Sequence, residues 1–313
     1  MFGRRSGPDD AARREARAEQ EASIAALTGG GLPKRAEERL RAAQSTVFTS
    51  DLSVSEFALA GQARVRPVAQ VMGSSVYHVG WQRRPGGWAW QAVSQELTVL
   101  SQAWNEARRL AFGRLQREAE VAGAHTVVGL DLRVGAHDWV ADAVEYVAVG
   151  TAVRVEGEAA GGTALTNLSL QDYWLLRRAG YRPAGLYGAT AVFYVVSSWR
   201  QQQAQSLWRS WANQELPDFT QGVYDAREVT IGRLTEQAKQ HDAIGVVGLS
   251  LEHTIEEREV DQQGANRTDL IVTMHALGTG IVEADAAPGL PATRVAIDLS
   301  GGRRKDHLLG GER

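Results

Sequence analysis

Two long stretches of the chain carry apolar residues at every third or fourth position. This spacing places the apolar side chains along one side of an α-helix. The first stretch covers residues 95–122, and the second covers residues 216–238. The pattern predicts two long helices, each with one buried face. The repeating positions are Leu97, Leu100, Trp104, Ala107, Ala111, Leu115, Ala119 and Ala122, and then Leu216, Phe219, Val223, Ala226, Thr230, Leu234 and Ala238.

Shorter stretches alternate apolar and polar residues, or are rich in β-branched residues, and these features are typical of strands. One alternating run begins at Val71 and another at Tyr187. The runs TVVGLDLRV and GVVGLSLEH follow the two long helices, and each predicts the first strand of a β-hairpin. The order in each half is therefore short helix, strand, long helix, strand, strand.

Each predicted unit begins with a helix-capping signal. Ser53 with Glu56, and Ser169 with Asp172, have the three-residue spacing of a capping box or its Asp variant. A proline follows at position 67 or 183, and we expect it to end the short helix.

The two halves also align at fixed offsets. QEL at residues 95–97 recurs at residues 214–216, and the same offset aligns EARRLAFGRLQREA with DAREVTIGRLTEQA. Self-similarity at a fixed offset is the mark of an internal repeat. The sequence thus predicts a duplicated α+β module, in which an antiparallel sheet is backed by one long helix and preceded by a short one.

The predicted modules leave three further segments. We expect the two ends to be charged and mobile, and the Gly-rich segment between the modules to be a linker. The predicted organisation is a helical extension at 1–45, a module at 52–156, a linker at 157–167, a module at 168–283 and a tail at 284–313.

Composition narrows the functional classes. The net charge of −3 gives no electrostatic case for binding nucleic acid. The absence of cysteine excludes disulfides and thiolate ligands, and is compatible with a cytoplasmic protein. No signal peptide or long apolar run is present, and no catalytic motif such as a P-loop or G-x-S-x-G is found. We therefore expect a non-enzymatic protein without a cofactor.

The VVGLDL and VVGLSL runs, each after an A-R-x(4)-G-R-L helix and before a hairpin ending in G-T-A or G-T-G, resemble the YbjQ-like family. The resemblance covers both modules. It implies a dodecin/YbjQ-like β-α-β-β fold that assembles into pentameric rings, so a pentamer-based homo-oligomer is expected. Members of this family are also described as heavy-metal-binding domains.

The histidines argue against a metal site built into the module. None of the seven has a histidine at the equivalent position of the other half. His253 and His275 are expected about four residues apart along the sheet, roughly 13 Å, which is too far to share an ion. We therefore expect no bound metal, with metal or small-ligand binding as the alternative function.

Several residues that repeat in both halves are candidates for assembly. Glycine in a helix interior costs about 1 kcal/mol relative to alanine, so Gly113 and Gly232, beside Phe112 and Ile231, predict a close helix contact within or between modules. The repeated charges are more typical of a solvated helix face than of proton chemistry. They are Glu96, Glu215, Arg108, Arg227, Arg114 and Arg233.

Tryptophan is concentrated between the first strand and the long helix of each half. Tryptophan and arginine are frequent at interaction hot spots, and tryptophan also at membrane boundaries. The alternatives are a core or subunit interface, or a surface for a protein or anionic membrane. The residues are Trp81, Trp88, Trp90, Trp199, Trp208 and Trp211.

Overall fold

A computed structural model of the chain describes residues 8–43, 47–79, 93–137, 143–158, 162–198, 215–262 and 265–284. The helices are α1 (Pro8–Thr28), α2 (Lys34–Ala43), α3 (Val54–Ala63), α4 (Thr98–Val121), α5 (Leu170–Arg178) and α6 (Pro217–Gln240). The strands are β1 (Val65–His78), β2 (Gln95–Glu96), β3 (Thr126–His137), β4 (Ala143–Val155), β5 (Ala164–Leu165), β6 (Tyr181–Val195), β7 (Gly245–Gln262) and β8 (Ala265–Glu283).

The strands form two sheets, and the fold belongs to the predicted α+β class. The first sheet has the order β1-β4-β3-β5 and the second the order β2-β6-β8-β7. The three long strands of each sheet are antiparallel and follow the same order, with the last strand of each half in the centre.

The capping signals act as predicted. Ser53 and Glu56 form a complete capping box at the start of α3, and the Ser169 side chain accepts a hydrogen bond from the Asp172 backbone at the start of α5. The expectation for the prolines is wrong. α3 ends at Ala63, its capping residue Arg64 lies in the left-handed region with φ of 53°, and Pro67 lies inside β1.

Both Pro67 and Pro183 coincide with a break in strand register, between Pro67 and Ala69 and between Pro183 and Gly185. β1 is the outer strand of its sheet, and an irregular edge position tolerates a residue that cannot donate a ladder hydrogen bond. The prolines therefore mark bulges in the strands and not helix ends.

Each long helix covers one face of its sheet. Ala107, Ala111, Leu115 and Ala119 of α4 are fully buried, as the three-to-four spacing predicts. The helix is shorter than predicted because residues 95–96 form β2. This short strand pairs with β6 of the other half of the chain and not with its own sheet.

The segments outside the two predicted modules contain ordered structure where they are described. Leu32 and Leu40 of the N-terminal extension lie in the same core cluster as Leu115 of α4, so this part of the extension is docked. In the predicted linker, β5 pairs in parallel with β3, and the Thr166 hydroxyl lies 2.8 Å from that of Thr279. The linker therefore joins the first sheet to the second half.

Candidate assembly interface and buried polar cluster

The first half of the chain covers the edge of β6. Gln95 and Glu96 of β2 pair with Tyr194 and Phe193, and the Leu97 N–H then donates to the Val192 carbonyl at 2.7 Å. An open strand edge presents unpaired backbone groups that must find partners. β2 supplies these partners at the C-terminal end of β6.

Side chains of α4 replace strand pairing farther along the same edge. Ser101 Oγ accepts a hydrogen bond of 2.9 Å from the Val192 N–H. The Asn105 amide accepts from the Thr190 N–H at 3.0 Å and donates to the Thr190 carbonyl at 2.8 Å. Helix α4 therefore packs on the first sheet and also protects the edge of the second sheet.

An ion pair joins the two halves beside this edge. Arg233 of α6 donates to both carboxylate oxygens of Glu96, at 2.5 and 2.8 Å. Partial burial acts to raise the pKa of Glu96, but the hydrogen bonds from Arg233 and Ser101 and the charge of Arg233 lower it below its usual value. Two-point arginine pairs fix geometry as well as charge.

Arg108 of α4 enters the second sheet without an ionic partner. Its residue is 7% exposed, and no carboxylate in the described part of the chain lies within salt-bridge distance of it. Arg108 donates a long hydrogen bond of 3.4 Å to Thr190 Oγ1, and its burial lowers its pKa. A Cβ on Gly188 would lie 3.1 Å from Cδ and Nε of Arg108, so glycine makes room for this side chain.

A hydrogen-bonded cluster lies next to Arg108. Tyr146 Oη is 3.0 Å from Thr190 Oγ1 and 3.1 Å from His275 Nδ1, and Thr190 Oγ1 is 2.9 Å from the same nitrogen. Trp104 packs edge-on against both rings, with centroids 5.6 Å from Tyr146 and 5.2 Å from His275. Burial, followed by the charge of Arg108, lowers the pKa of His275 to about 4. The imidazole is therefore neutral at neutral pH.

A cavity of about 230 Å³ adjoins this cluster. It lies between the two sheets, and its polar lining includes Arg108, Tyr146, Thr190 and His275. Apolar side chains from β3 and β8 line the rest, among them Leu130 and Leu277. The cavity therefore combines one buried cation, several neutral hydrogen-bonding groups and an apolar wall with two exposed carboxylates, Asp131 and Glu252.

Comparison with known proteins places the chain in a family. A family model described as "putative heavy-metal-binding", that of the YbjQ family, matches residues 53–156. A Mycobacterium tuberculosis protein named encapsulin nanocompartment protein Rv1762c is 38% identical over 229 residues, which cover 71% of this chain and 84% of that protein. The chain belongs to the YbjQ family.

Shorter matches link the chain to proteins of the UPF0145 group. One, from Halalkalibacterium halodurans, is 41% identical over 66 residues, which cover 21% of this chain and 60% of that protein. Another, from Clostridium perfringens, is 39% identical over 64 residues, covering 20% and 58% of the two chains. No solved structure matches the chain at a significant level.

The heavy-metal description of the YbjQ family has no counterpart in a ligand cluster here. The described residues contain no group of three or more His, Asp or Glu side chains arranged to hold a metal ion. The expected separation of His253 and His275 is wrong. His253 lies opposite Met274 and His275 lies opposite Glu252, so the two histidines are one residue out of register and project from opposite faces of the sheet.

The repeated charges of the YbjQ chain occupy two kinds of environment. Glu96, Arg108 and Arg233 converge on the interface between the halves, so the expectation of a solvated helix face is wrong for them. Arg114 is also partly buried, and donates to the Ser74 and Leu27 carbonyls. Arg227 and Glu215 are exposed, as that expectation requires, and Arg227 pairs with Glu228.

The mid-helix glycines of the YbjQ chain have no close neighbour. A Cβ on Gly113 or Gly232 would meet no atom of the described residues within 4 Å, so a close contact inside the chain is not the reason for glycine there. A contact between copies stays a prediction. Phe112 and Ile231 each pack against a hydrophobic core cluster.

Sequence reasoning missed the residues that complete the interface. Ser101, Asn105, Tyr146 and Thr190 carry no motif, and their roles depend on which strand edge α4 reaches. The six tryptophans singled out above, Trp81, Trp88, Trp90, Trp199, Trp208 and Trp211, lie outside the described residues. Among the residues that are described, no helix combines the length and apolar character needed to cross a membrane.

Proposed function

We propose that the protein is a non-enzymatic, self-assembling scaffold in which residues 168–283 form a second YbjQ-like module and copies join head to tail. The observation that carries the proposal is the interface inside the chain, where α4 and β2 of the first half protect the edge of β6. The corresponding elements at the two ends of the chain are α6 and β1, and both offer exposed apolar side chains.

The exposed residues lie at positions equivalent to those of the internal interface. In β1, Ser74 and Val76 correspond to Thr190 and Val192, and Val76 is 53% exposed. Met72, which corresponds to Gly188, is 48% exposed. Within the described residues, no side chain takes the role at the Ser74 and Val76 N–H groups that Asn105 and Ser101 take in the second sheet. These two N–H groups are therefore available to a partner, whereas the Met72 N–H on the same edge already donates to Glu118 at 2.9 Å.

The complementary surface lies on α6. Thr220, Tyr224 and Arg227 correspond to Ser101, Asn105 and Arg108, and Tyr224 is 56% exposed. Tyrosine differs from the asparagine at the equivalent position, so the contact would bury an aromatic ring in place of the two amide hydrogen bonds.

A head-to-tail contact uses two different surfaces, and it closes into a ring when the rotation per copy permits. The ring-forming, pentamer-based assembly implied by the family resemblance fits this symmetry. The name of the M. tuberculosis relative, an encapsulin nanocompartment protein, supports an assembly role. We also propose that the protein acts in the cytoplasm and does not bind nucleic acid. The tryptophan-rich segments are proposed to contact a protein or an anionic membrane.

Two substitutions test the contact from its two sides. Val76→Glu on β1 and Tyr224→Glu on α6 each place a charge where the proposed contact excludes water, so each is expected to reduce the assembly to the 33.9 kDa chain. Light scattering coupled to size exclusion measures the mass. Val54→Glu is the matched control, because Val54 is 87% exposed and lies outside both surfaces.

A wild-type mass of 33.9 kDa at every protein concentration would contradict the proposal. So would assemblies of unchanged mass in both charged variants. Exchanging two charges tests whether this particular contact forms. Glu215 and Arg114 correspond to the internal pair Glu96 and Arg233, so they are expected to pair between copies. Glu215→Arg and Arg114→Glu should each weaken assembly, and the double variant should restore it.

A further inference from the structure

The cavity between the two sheets is lined by one buried cation, Arg108, which forms no salt bridge within the described residues. Arg108 is buried, and the nearest acid on its own helix, Glu106, is committed to Arg109 through hydrogen bonds of 2.6 and 2.8 Å. Two other carboxylates line the cavity, Asp131 and Glu252, but both residues are exposed, and Asp131 pairs with Arg133. No carboxylate of the described chain therefore neutralises Arg108.

A guanidinium keeps its proton under all ordinary conditions, so the charge persists although burial lowers its pKa. An isolated buried charge is costly unless an ion or several hydrogen bonds compensate it. The partners of Arg108 are the neutral hydroxyls of Tyr146 and Thr190, and the Thr190 Oγ1 contact is long, at 3.4 Å. The neutral His275 supplies no compensating charge.

We propose that this cavity binds a small oxyanion, a carboxylate or a phosphate, with Arg108 as its charge partner and the hydroxyls of Thr190 and Tyr146 beside it. The planar guanidinium matches both kinds of anion through paired N–H donors. The volume of about 230 Å³ lies below the roughly 300–1,000 Å³ of sites for drug-sized ligands, which limits the ligand to a small molecule. The site lies within one chain, so it does not depend on assembly.

Calorimetric titration with sodium succinate and with sodium phosphate tests the site, against sodium chloride at equal ionic strength. The wild type is expected to bind at least one of the two anions saturably, with one site per chain. Arg108→Met should weaken that binding at least tenfold, while Arg227→Met, at the exposed equivalent position, should leave it unchanged. Absence of saturable binding of both anions, or equal weakening by the two variants, would overturn the proposal.

Thermal melting separates a binding role from a purely structural one. Without anion, Arg108→Met should melt a few degrees higher than the wild type, because it keeps an apolar stem and removes an unpaired buried charge. With anion, the wild type should gain stability and the variant should not. A lower melting temperature for the variant in every buffer would favour a structural role and sink the idea.

Thr190→Val gives an independent measurement if Arg108→Met does not fold. It keeps the shape of the side chain and removes the hydroxyl that faces Arg108. Binding several-fold weaker than wild type is expected. Wild-type affinity in this variant would place the anion elsewhere and refute the assignment.

Discussion

Two arginines at equivalent positions of the halves have opposite environments. Arg108 is buried against β6, whereas Arg227 is exposed and pairs with Glu228 on its own helix. The difference arises because α4 has a second sheet beside it and α6 does not within the chain. A repeated residue therefore need not have a repeated role. The charge of Arg108 also adds to the effect of burial in lowering the pKa of its neighbour His275.

Protonation of His275 should destabilise the fold in acid. The pKa of His275 is about 4 in the folded protein, below the ordinary value of 6.5. Above pH 6.5 the imidazole is neutral in both the folded and the unfolded chain, so it does not change the free energy of unfolding with pH. As the pH falls from 6.5 to 4, the unfolded chain takes up the proton first, and stability declines by up to about 3 kcal/mol.

Urea unfolding at pH 7 and pH 4.5 measures this effect. Carboxylates such as Glu96 titrate in the same range, so the wild type is compared with His275→Gln, which should lose less stability between the two pH values. Equal losses in the two proteins would show that His275 does not carry the effect.

At the scale of elements, α4 makes contacts on two sides. Its alanine-rich face packs on its own sheet, where small residues allow a close approach to Gly73 of β1. Its polar residues Ser101, Asn105 and Arg108 reach the second sheet. The remaining face carries Gly113, which is open to solvent.

Two glycine substitutions should have opposite effects on stability. Gly113→Ala is expected to stabilise the protein by about 1 kcal/mol, because a helical glycine is replaced where the new methyl group meets no atom. Gly73→Ala should destabilise it by more than that amount, because its methyl group would collide with the backbone of α4 at Ala111 and Leu115. Denaturant unfolding measures both changes. A loss of stability in Gly113→Ala would contradict this expectation and would indicate that Gly113 contacts another copy of the chain.

At the scale of the whole molecule, the N-terminal extension lies on the surface that the proposed assembly would use. Arg233 binds Glu96 and contacts the Thr190 carbonyl. The equivalent arginine, Arg114, contacts the equivalent carbonyl, that of Ser74. Its second contact is with the Leu27 carbonyl at 3.1 Å and not with a glutamate. The end of α1 therefore occupies the position that a partner's glutamate would take.

Removal of residues 1–28 should promote assembly by freeing Arg114. The truncated chain keeps Leu32 and Leu40, which pack in the core, and is expected to assemble at lower protein concentration than the full chain. Light scattering over a dilution series measures the change. Adding Arg114→Gln to the truncated chain should cancel the gain, and a truncation that weakens assembly would mean that α1 belongs to the interface.

The local structure follows directly from the residues. Capping residues such as Ser53 begin helices through contacts three residues away, and the helical spacing of Ala107, Ala111 and Leu115 follows from one turn of backbone. The family also followed from the sequence, since its motifs are contiguous. Such features need only short-range geometry, and they could be predicted from the residues alone.

Tertiary structure decided which half each side chain serves. Glu96 left the predicted helix for a strand because the edge of β6 lay within reach, and the register of β7 and β8 separated His253 from His275 onto opposite faces. Arg108 became a buried cation, while the equivalent Arg227 stayed in solvent. The outcomes for Glu96 and Arg108 depend on contacts between residues more than 75 positions apart, and no local pattern specifies which of two equivalent helices will find a neighbouring sheet.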